Sequence, residues 1–337
     1  MKNMYPLKID AYAHIAPQKY RETLAKLAPN HCAYMLDPFP PLYDLEERFR
    51  IMDRYEGVVQ VLTPSWPAVE VAAPEKSLDL AKLTNDEMAK LVARYPDRFP
   101  AAIGCLPMND IDAALKETDR VINDLRFRGV LICTPINDKP LDSPEFMPLY
   151  EMMAYYNLPI LIHPVRLPEY PDYRTETESR HRAYMTFGWP YETTMAMTRL
   201  VFSGVFEKYP NLKFVTHHCG GMVPYLEERI KQFMDVGEMR RGEIGREVLL
   251  TKKPIDYYKM FYNDTALYGN TAALMCGYSF CGADHMLFAV DFPLGDMEFG
   301  NRNYRQTINA IENMQIGEED RKKIYEDNAR NLYRLPI

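Results

Sequence analysis

Lys213-Phe214-Val215-Thr216-His217-His218-Cys219-Gly220-Gly221 is a short apolar run that ends in two histidines, a cysteine and two glycines. Apolar runs without alternation suit strands buried on both faces, as in a parallel sheet covered by helices. The glycines suit a tight turn into the next helix, with backbone N–H groups free to approach an anion.

Working outward, the same pattern recurs at 7–11, 58–63, 101–106, 129–133, 159–163, 260–264 and 286–291. Helical spacing of apolar residues fills the gaps at 44–55, 78–95, 112–125, 143–156, 190–208, 223–234, 270–280 and 303–313, and a last segment covers 318–334. At 143–156 the order Ser143-Pro144-Glu145 reads as a cap residue followed by proline at the first helical position. Eight strand–helix units predict an α/β fold, a (β/α)8 TIM barrel, as one domain over 1–337. An open doubly wound sheet would favour a glycine-rich nucleotide turn, and the sequence has none. Long insertions are expected after strand 1 (15–43) and strand 5 (164–189), on the C-terminal face where barrel active sites lie.

The 337 residues carry a net charge of −7 and are 47% hydrophobic. That balance argues against nucleic acid and anionic membrane surfaces as partners. No run approaches the roughly 20 apolar residues of a membrane helix. The first residues show no apolar leader segment. The six cysteines form no C-x-x-C pair and read as reduced thiols of a cytoplasmic protein, with only Cys219 placed near chemistry.

Four of the seven histidines, His14, His163, His217 and His218, fall at the C-terminal ends of strands 1, 5 and 6, and Asp291 ends strand 8. Barrel geometry brings such positions around one mouth, which points to a metal or acid–base site. His217 and His218 are adjacent, so on a strand they point to opposite faces. The Gly-Gly turn favours His218 as the inward one, leaving His217 as a supporting or helix-packing residue. His31, His181 and His285 read as surface or loop residues.

Five stretches carry a resemblance: Ile9-Asp10-Ala11-Tyr12-Ala13-His14, Arg48-Phe49-Arg50-Ile51-Met52-Asp53, Ile162-His163-Pro164, His218-Cys219-Gly220-Gly221-Met222-Val223-Pro224 and Val290-Asp291-Phe292-Pro293. In this order the chain resembles the amidohydrolase superfamily, in the branch (amidohydrolase family 2) of aminocarboxymuconate-semialdehyde decarboxylase. The resemblance implies His14 and His163 as metal ligands and Asp291 as a carboxylate ligand or proton shuttle. It implies His218 as acid–base catalyst, Arg48 as a contact for substrate carboxylate and Trp189 as a pocket-lining aromatic. It also implies one divalent metal, zinc first and manganese next, and a homodimer.

One position departs from the family: Tyr12 stands where the first histidine of His-x-His is expected. Three readings follow. His14, His163 and Asp291 suffice as three ligands with an open position. Alternatively Tyr12 binds as a phenolate, or it is a hydrogen-bond donor in a metal-free acid–base site. The first is favoured and the phenolate ranked last. In the second insertion, Arg166 and Arg174 read as carboxylate-binding side chains or as a solvated face. The resulting expectation is a metal-dependent decarboxylase or hydrolase acting on a small carboxylated aromatic or unsaturated acid. The alternatives are a metal-free lyase, isomerase or hydratase using Tyr12, His218 and Asp291, and an inactive ligand-binding barrel.

Overall fold

The computed structural model describes residues 7–239, 250–295 and 297–337. Its strands are β1 (Lys8–Ile15), β2 (Val58–Pro64), β3 (Ala101–Ala102), β4 (Gly104–Cys105), β5 (Val130–Thr134), β6 (Ile160–Pro164), β7 (Phe214–Thr216), β8 (Tyr262–Asp264) and β9 (Met286–Leu287). Every ladder is parallel, in the orders β1-β2-β3 and β4-β5-β6-β7-β8-β9. Two sets of backbone bonds join these sheets into one barrel. Around Ile103, which separates β3 from β4, Ile103 N donates to Leu62 O and Gly104 N to Gly129 O, both at 2.9 Å. At the other seam, Ala11 N donates to Phe288 O and His14 N to Phe292 O, both at 2.8 Å. β3 and β4 therefore act as one stave, and eight staves close the TIM barrel.

The staves alternate between two cores. Ile9, Val61, Ile103, Leu131, Leu161, Val215 and Leu287, one from each of seven staves, pack together inside, and Tyr262 of the remaining stave packs against them. Val130, Ile132, Ile160, Ile162 and Phe214 face the helices instead. This parity decides which later residues reach the mouth.

The helices are α1 (Gln18–Leu27), α2 (Pro29–Met35), α3 (Leu45–Met52), α4 (Pro74–Arg94), α5 (Ile111–Asn123), α6 (Met147–Tyr156), α7 (Trp189–Phe202), α8 (Val205–Lys208), α9 (Glu227–Met239), α10 (Pro254–Tyr258), α11 (Thr271–Cys281), α12 (Asn301–Glu312), α13 (Glu318–Lys322) and α14 (Asn328–Leu332). Short polar side chains start several of them. Asp44 accepts from Glu46 N and Glu47 N at 2.9 and 3.2 Å, Asp110 from Ala113 N at 3.1 Å and Asn270 from Ala273 N at 3.1 Å.

Several boundaries differ from the sequence reading, each for a local reason. Ser143 makes no cap bond, and Pro144–Phe146 form a 3-10 turn before α6. The segment read as 190–208 breaks into α7 and α8 at Gly204, whose φ of 76° is left-handed. The helix expected from 223 starts at Glu227, because His218, Cys219, Gly220 and Gly221 hold φ values of 56°, 54°, 75° and 62°. Four left-handed residues cannot propagate a right-handed helix. The stretch after β1 is largely helical, as α1 and α2, rather than a loop. It meets the stretch after β6 where the hydroxyls of Tyr34 and Tyr184 approach to 2.8 Å.

Candidate metal centre

The site is built at the C-terminal ends of the staves, starting with His14 on β1. His14 is fully buried. Its Nδ1 lies 3.2 Å from the Pro64 carbonyl oxygen, an acceptor, so the proton sits on Nδ1. Nε2 is left with its lone pair, 3.3 Å from Asp291 Oδ1. A lone pair and a carboxylate oxygen at that distance repel unless a proton or a metal cation lies between them.

His163, on β6, is 2% exposed. Neither of its ring nitrogens has a hydrogen-bond partner among the described residues. Burying an imidazole with nothing to satisfy it is costly, so an unpartnered ring here fits a ligand awaiting a cation. Burial, followed by the neighbouring histidines, pushes its pKa well below the ordinary range, so the ring is neutral and able to coordinate. These residues therefore fit a divalent metal.

Asp291 lies beyond β9 with φ of 60° and is 3% exposed. Burial alone would raise its pKa, but the His14 and His217 rings beside it hold it well below the carboxylate range. Its Oδ2 accepts from the Tyr268 hydroxyl at 2.6 Å and lies 4.0 Å from His218 Nε2.

His217 corrects the sequence reading. Inward-facing Val215 puts His217 on the interior parity, so His217 and not His218 continues the stave into the barrel. Its Nδ1 hydrogen-bonds the Asp264 carboxylate, and its Nε2 sits 3.3 Å from Asp291 Oδ1. Burial would lower its pKa, but the carboxylates of Asp264 and Asp291 outweigh that and raise it to about 10. His218 reaches the same site by another route. Its left-handed backbone swings the ring back to 3.9 Å from the His217 ring, centroid to centroid. Burial and the charge of His217 lower its pKa to about 3, so it is a neutral imidazole.

Tyr12 is fully buried, and its hydroxyl has no partner among the described residues. Its ring stacks on His217 at 4.5 Å with an interplanar angle of 12°. Burial, then the nearby Asp264, raises its pKa well above the ordinary phenol value. That opposes the phenolate reading.

Ligand atoms of His14, His163 and His217 lie within 4.8 Å of one another, and so do those of His217, His218 and Asp291. Trp189 is brought to this cluster, with its ring 5.6 Å from His163 and 6.3 Å from His218. Its indole N–H donates to the Arg166 carbonyl at 3.2 Å. A small cavity of about 20 Å³ adjoins His163 and is walled by Ser65, Trp66, Glu70, Leu131 and Cys133 among others.

The arginines are placed differently from expectation. Arg48 is fully buried. Its Nε donates to Gln60 at 2.7 Å and its Nη1 to the carbonyls of His14 and Pro41 at 2.8 and 3.2 Å. The guanidinium lies 5.6 and 4.9 Å from the ring centres of Phe99 and Phe292. It braces the end of β1 through the His14 carbonyl, and its Nη2 has no hydrogen-bond partner among the described residues. Arg166 pairs with Glu192 at 3.0 Å, and Arg174 is exposed to solvent. His181 is also exposed, His31 packs near Trp66 and His285 lies against Tyr262.

Sequence reasoning passed over Asp264 and Tyr268. Asp264 had a usable signal, since it ends the 260–264 run as Asp291 ends the next. Tyr268 had none, because its approach to Asp291 depends on a left-handed turn at φ 50°.

The sequence matches the amidohydrolase family over residues 9–335, and the chain belongs to that family. It is 31% identical over 305 residues to gamma-resorcylate decarboxylase of Polaromonas sp. (strain JS666), covering 87% of this chain and 89% of that one. It is 28% identical to 2-amino-3-carboxymuconate-6-semialdehyde decarboxylase of Dictyostelium discoideum, covering 86% and 83%. Among solved structures, it resembles a dihydroxybenzoic acid decarboxylase from Polaromonas sp. JS666 with bound manganese and the inhibitor 2-nitroresorcinol. That match has a TM-score of 0.76 at 27% identity and covers 97% of each chain.

Proposed function

We propose that this protein is a metal-dependent decarboxylase that removes carbon dioxide from a small carboxylated aromatic or unsaturated acid. The observation that carries the reading is the buried cluster in which His14, the unpartnered His163 and His217 bring their ligand atoms together while Asp291 meets His14 and His217. The activities named for the similar proteins support it. The ion is manganese, as in the similar structure, or zinc; nitrogen and carboxylate donors suit both. When bound, such an ion supplies Lewis acidity toward the oxygens of the substrate.

The remaining work falls to the chain. Trp189, held by the Arg166 carbonyl, offers a face to a flat substrate beside His163. Breaking the carbon–carboxylate bond leaves its electron pair on carbon, which must take a proton. That proton comes from solvent and is handed on through Asp291 Oδ2, an ionised carboxylate that takes it up only in passing, with neutral His218 4.0 Å away. Tyr268 is 47% exposed and bonded to the same oxygen, so it links Asp291 to solvent for reprotonation. Tyr12 stays a neutral phenol in the wall, and Arg48 acts on the fold. The reading extends to a homodimer in the cytoplasm; no helix among the described residues is long and apolar enough to cross a membrane.

Elemental mass spectrometry of the purified protein, beside His163→Ala and with a panel of hydroxybenzoates, tests the reading. About one divalent metal per chain, lost in the variant, with carbon dioxide released from a panel member, is the expected result. A metal-free wild type whose turnover is indifferent to added metal would move the chemistry to Tyr12, His218 and Asp291 alone. Release of a hydrolysis or hydration product instead would overturn the reaction class.

A further inference from the structure

Tyr12 occupies a position from which a ligand is missing, and the geometry shows what stands in its place. We propose that His217 is a metal-binding side chain, so that His14, His163, His217 and Asp291 surround one cation. This rests on the reading of the site as a metal centre.

Four observations lead there. His217 lies on the inward parity of its stave, directly above Val215. Its Nδ1 is committed to Asp264, which keeps a proton at the back of the ring, while Nε2 faces Asp291 and is the nitrogen whose proton a cation would displace. Histidine held from behind by a carboxylate is the usual arrangement of a metal-ligating imidazole, because the carboxylate fixes tautomer and orientation. Asp264 is itself immobilised, with Oδ1 accepting from Cys219 N at 3.0 Å and Ala266 N at 3.1 Å.

The third observation is that Nε2 of His217 and Nε2 of His14 both face the same atom, Asp291 Oδ1, at 3.3 Å each. Two imidazole nitrogens converging on one carboxylate oxygen make a cradle for positive charge. One proton serves only one of those contacts at a time, whereas a divalent cation serves His14, His217, Asp291 and the unpartnered His163 together. The ligand atoms of the three histidines already lie within 4.8 Å of one another.

The fourth concerns Tyr12. Its hydroxyl bonds to nothing among the described residues, while its ring lies parallel to His217. Tyr12 thus holds the His217 ring by stacking and supplies no donor atom. In effect the missing ligand of β1 is replaced from the end of β7.

The competing account is that His217 only shuttles a proton between Asp264 and Asp291. Zinc-loaded wild-type protein, examined by X-ray absorption at the zinc edge, separates the two by counting coordinated imidazoles. Three imidazoles are expected in the wild type and in Tyr12→Phe, and two in His217→Gln, with zinc affinity falling about 100-fold in the last. Asp264→Asn should keep three imidazoles while weakening affinity about 10- to 100-fold. Two imidazoles in the wild type, or unchanged affinity and count in His217→Gln, would overturn the proposal. The wild-type count decides the matter even if His217→Gln does not fold. Absence of any bound zinc or manganese in the wild type would instead bring down the metal reading itself, and this assignment with it.

Discussion

At the residue scale, the centre shows how little a side chain's type says without its partners. Three histidines within one cluster differ in charge because their neighbours differ: His217 stands between two carboxylates, His218 faces mostly another imidazole and His163 has no hydrogen-bond partner. Asp291→Asn should lower turnover by at least about 10²-fold, the scale of a lost proton-transfer group, with a circular dichroism melt close to wild type. Undiminished turnover in that variant would remove Asp291 from the chemistry. Glu70, beside the cavity, gives a pH prediction. Burial raises its carboxyl pKa to about 7, above the roughly 4.3 of an unfolded chain. The folded state therefore holds a proton that the unfolded state releases between those values. Its contribution is fully present below the unfolded value and is lost as pH rises through about 7. Relative to Glu70→Gln, the wild type should lose about 1–3 kcal/mol of stability from pH 4.5 to 7.5. Parallel urea-unfolding curves for the two proteins across that range would remove the buried carboxyl from the pH response.

At the element scale, the turn between β7 and α9 carries the most consequence. It places His218 by left-handed backbone at residues 218–221. At Gly221, φ is 62° and a Cβ would come 2.4 Å from the Pro190 carbonyl oxygen at the start of α7. Gly221→Ala should cost about 1–3 kcal/mol from backbone strain alone and disturb the spacing of Trp189 and His218. Chemical denaturation together with Trp fluorescence reads both effects, and a neutral outcome would mean that this turn and α7 are not held together. Asp110→Ala is the matched control. It removes the cap of α5, a helix that supplies no residue to the centre, and should cost about 1 kcal/mol without changing metal affinity.

On the scale of the whole molecule, the barrel is sealed at the end opposite the site by its own C-terminal segment. Tyr333 is fully buried among Ile9, Val61 and Leu287, and its hydroxyl donates to Ala11 O at 3.1 Å. Tyr333→Ala should lower unfolding free energy by about 3–5 kcal/mol, the range for deleting a buried ring, as measured in urea. A small effect would show that this segment does not plug the interior.

The sequence by itself determined the barrel, because eight apolar runs separated by helical spacing have few other ways to bury both faces. It also marked the ends of those runs as the place for His14, His163 and Asp291, since position along a strand is read directly from order. What it left open depended on parity and on backbone hand. Val215 facing inward, and the left-handed residues after His217, decide how two adjacent histidines both reach one mouth. Arg48 reads as a substrate contact in sequence, and folding spends its Nε and Nη1 on Gln60 and two carbonyls. Tyr268 joins Asp291 only because a later turn folds back onto it. Residues brought together across staves leave no periodicity in the chain, so only the tertiary structure could say which of them share an atom.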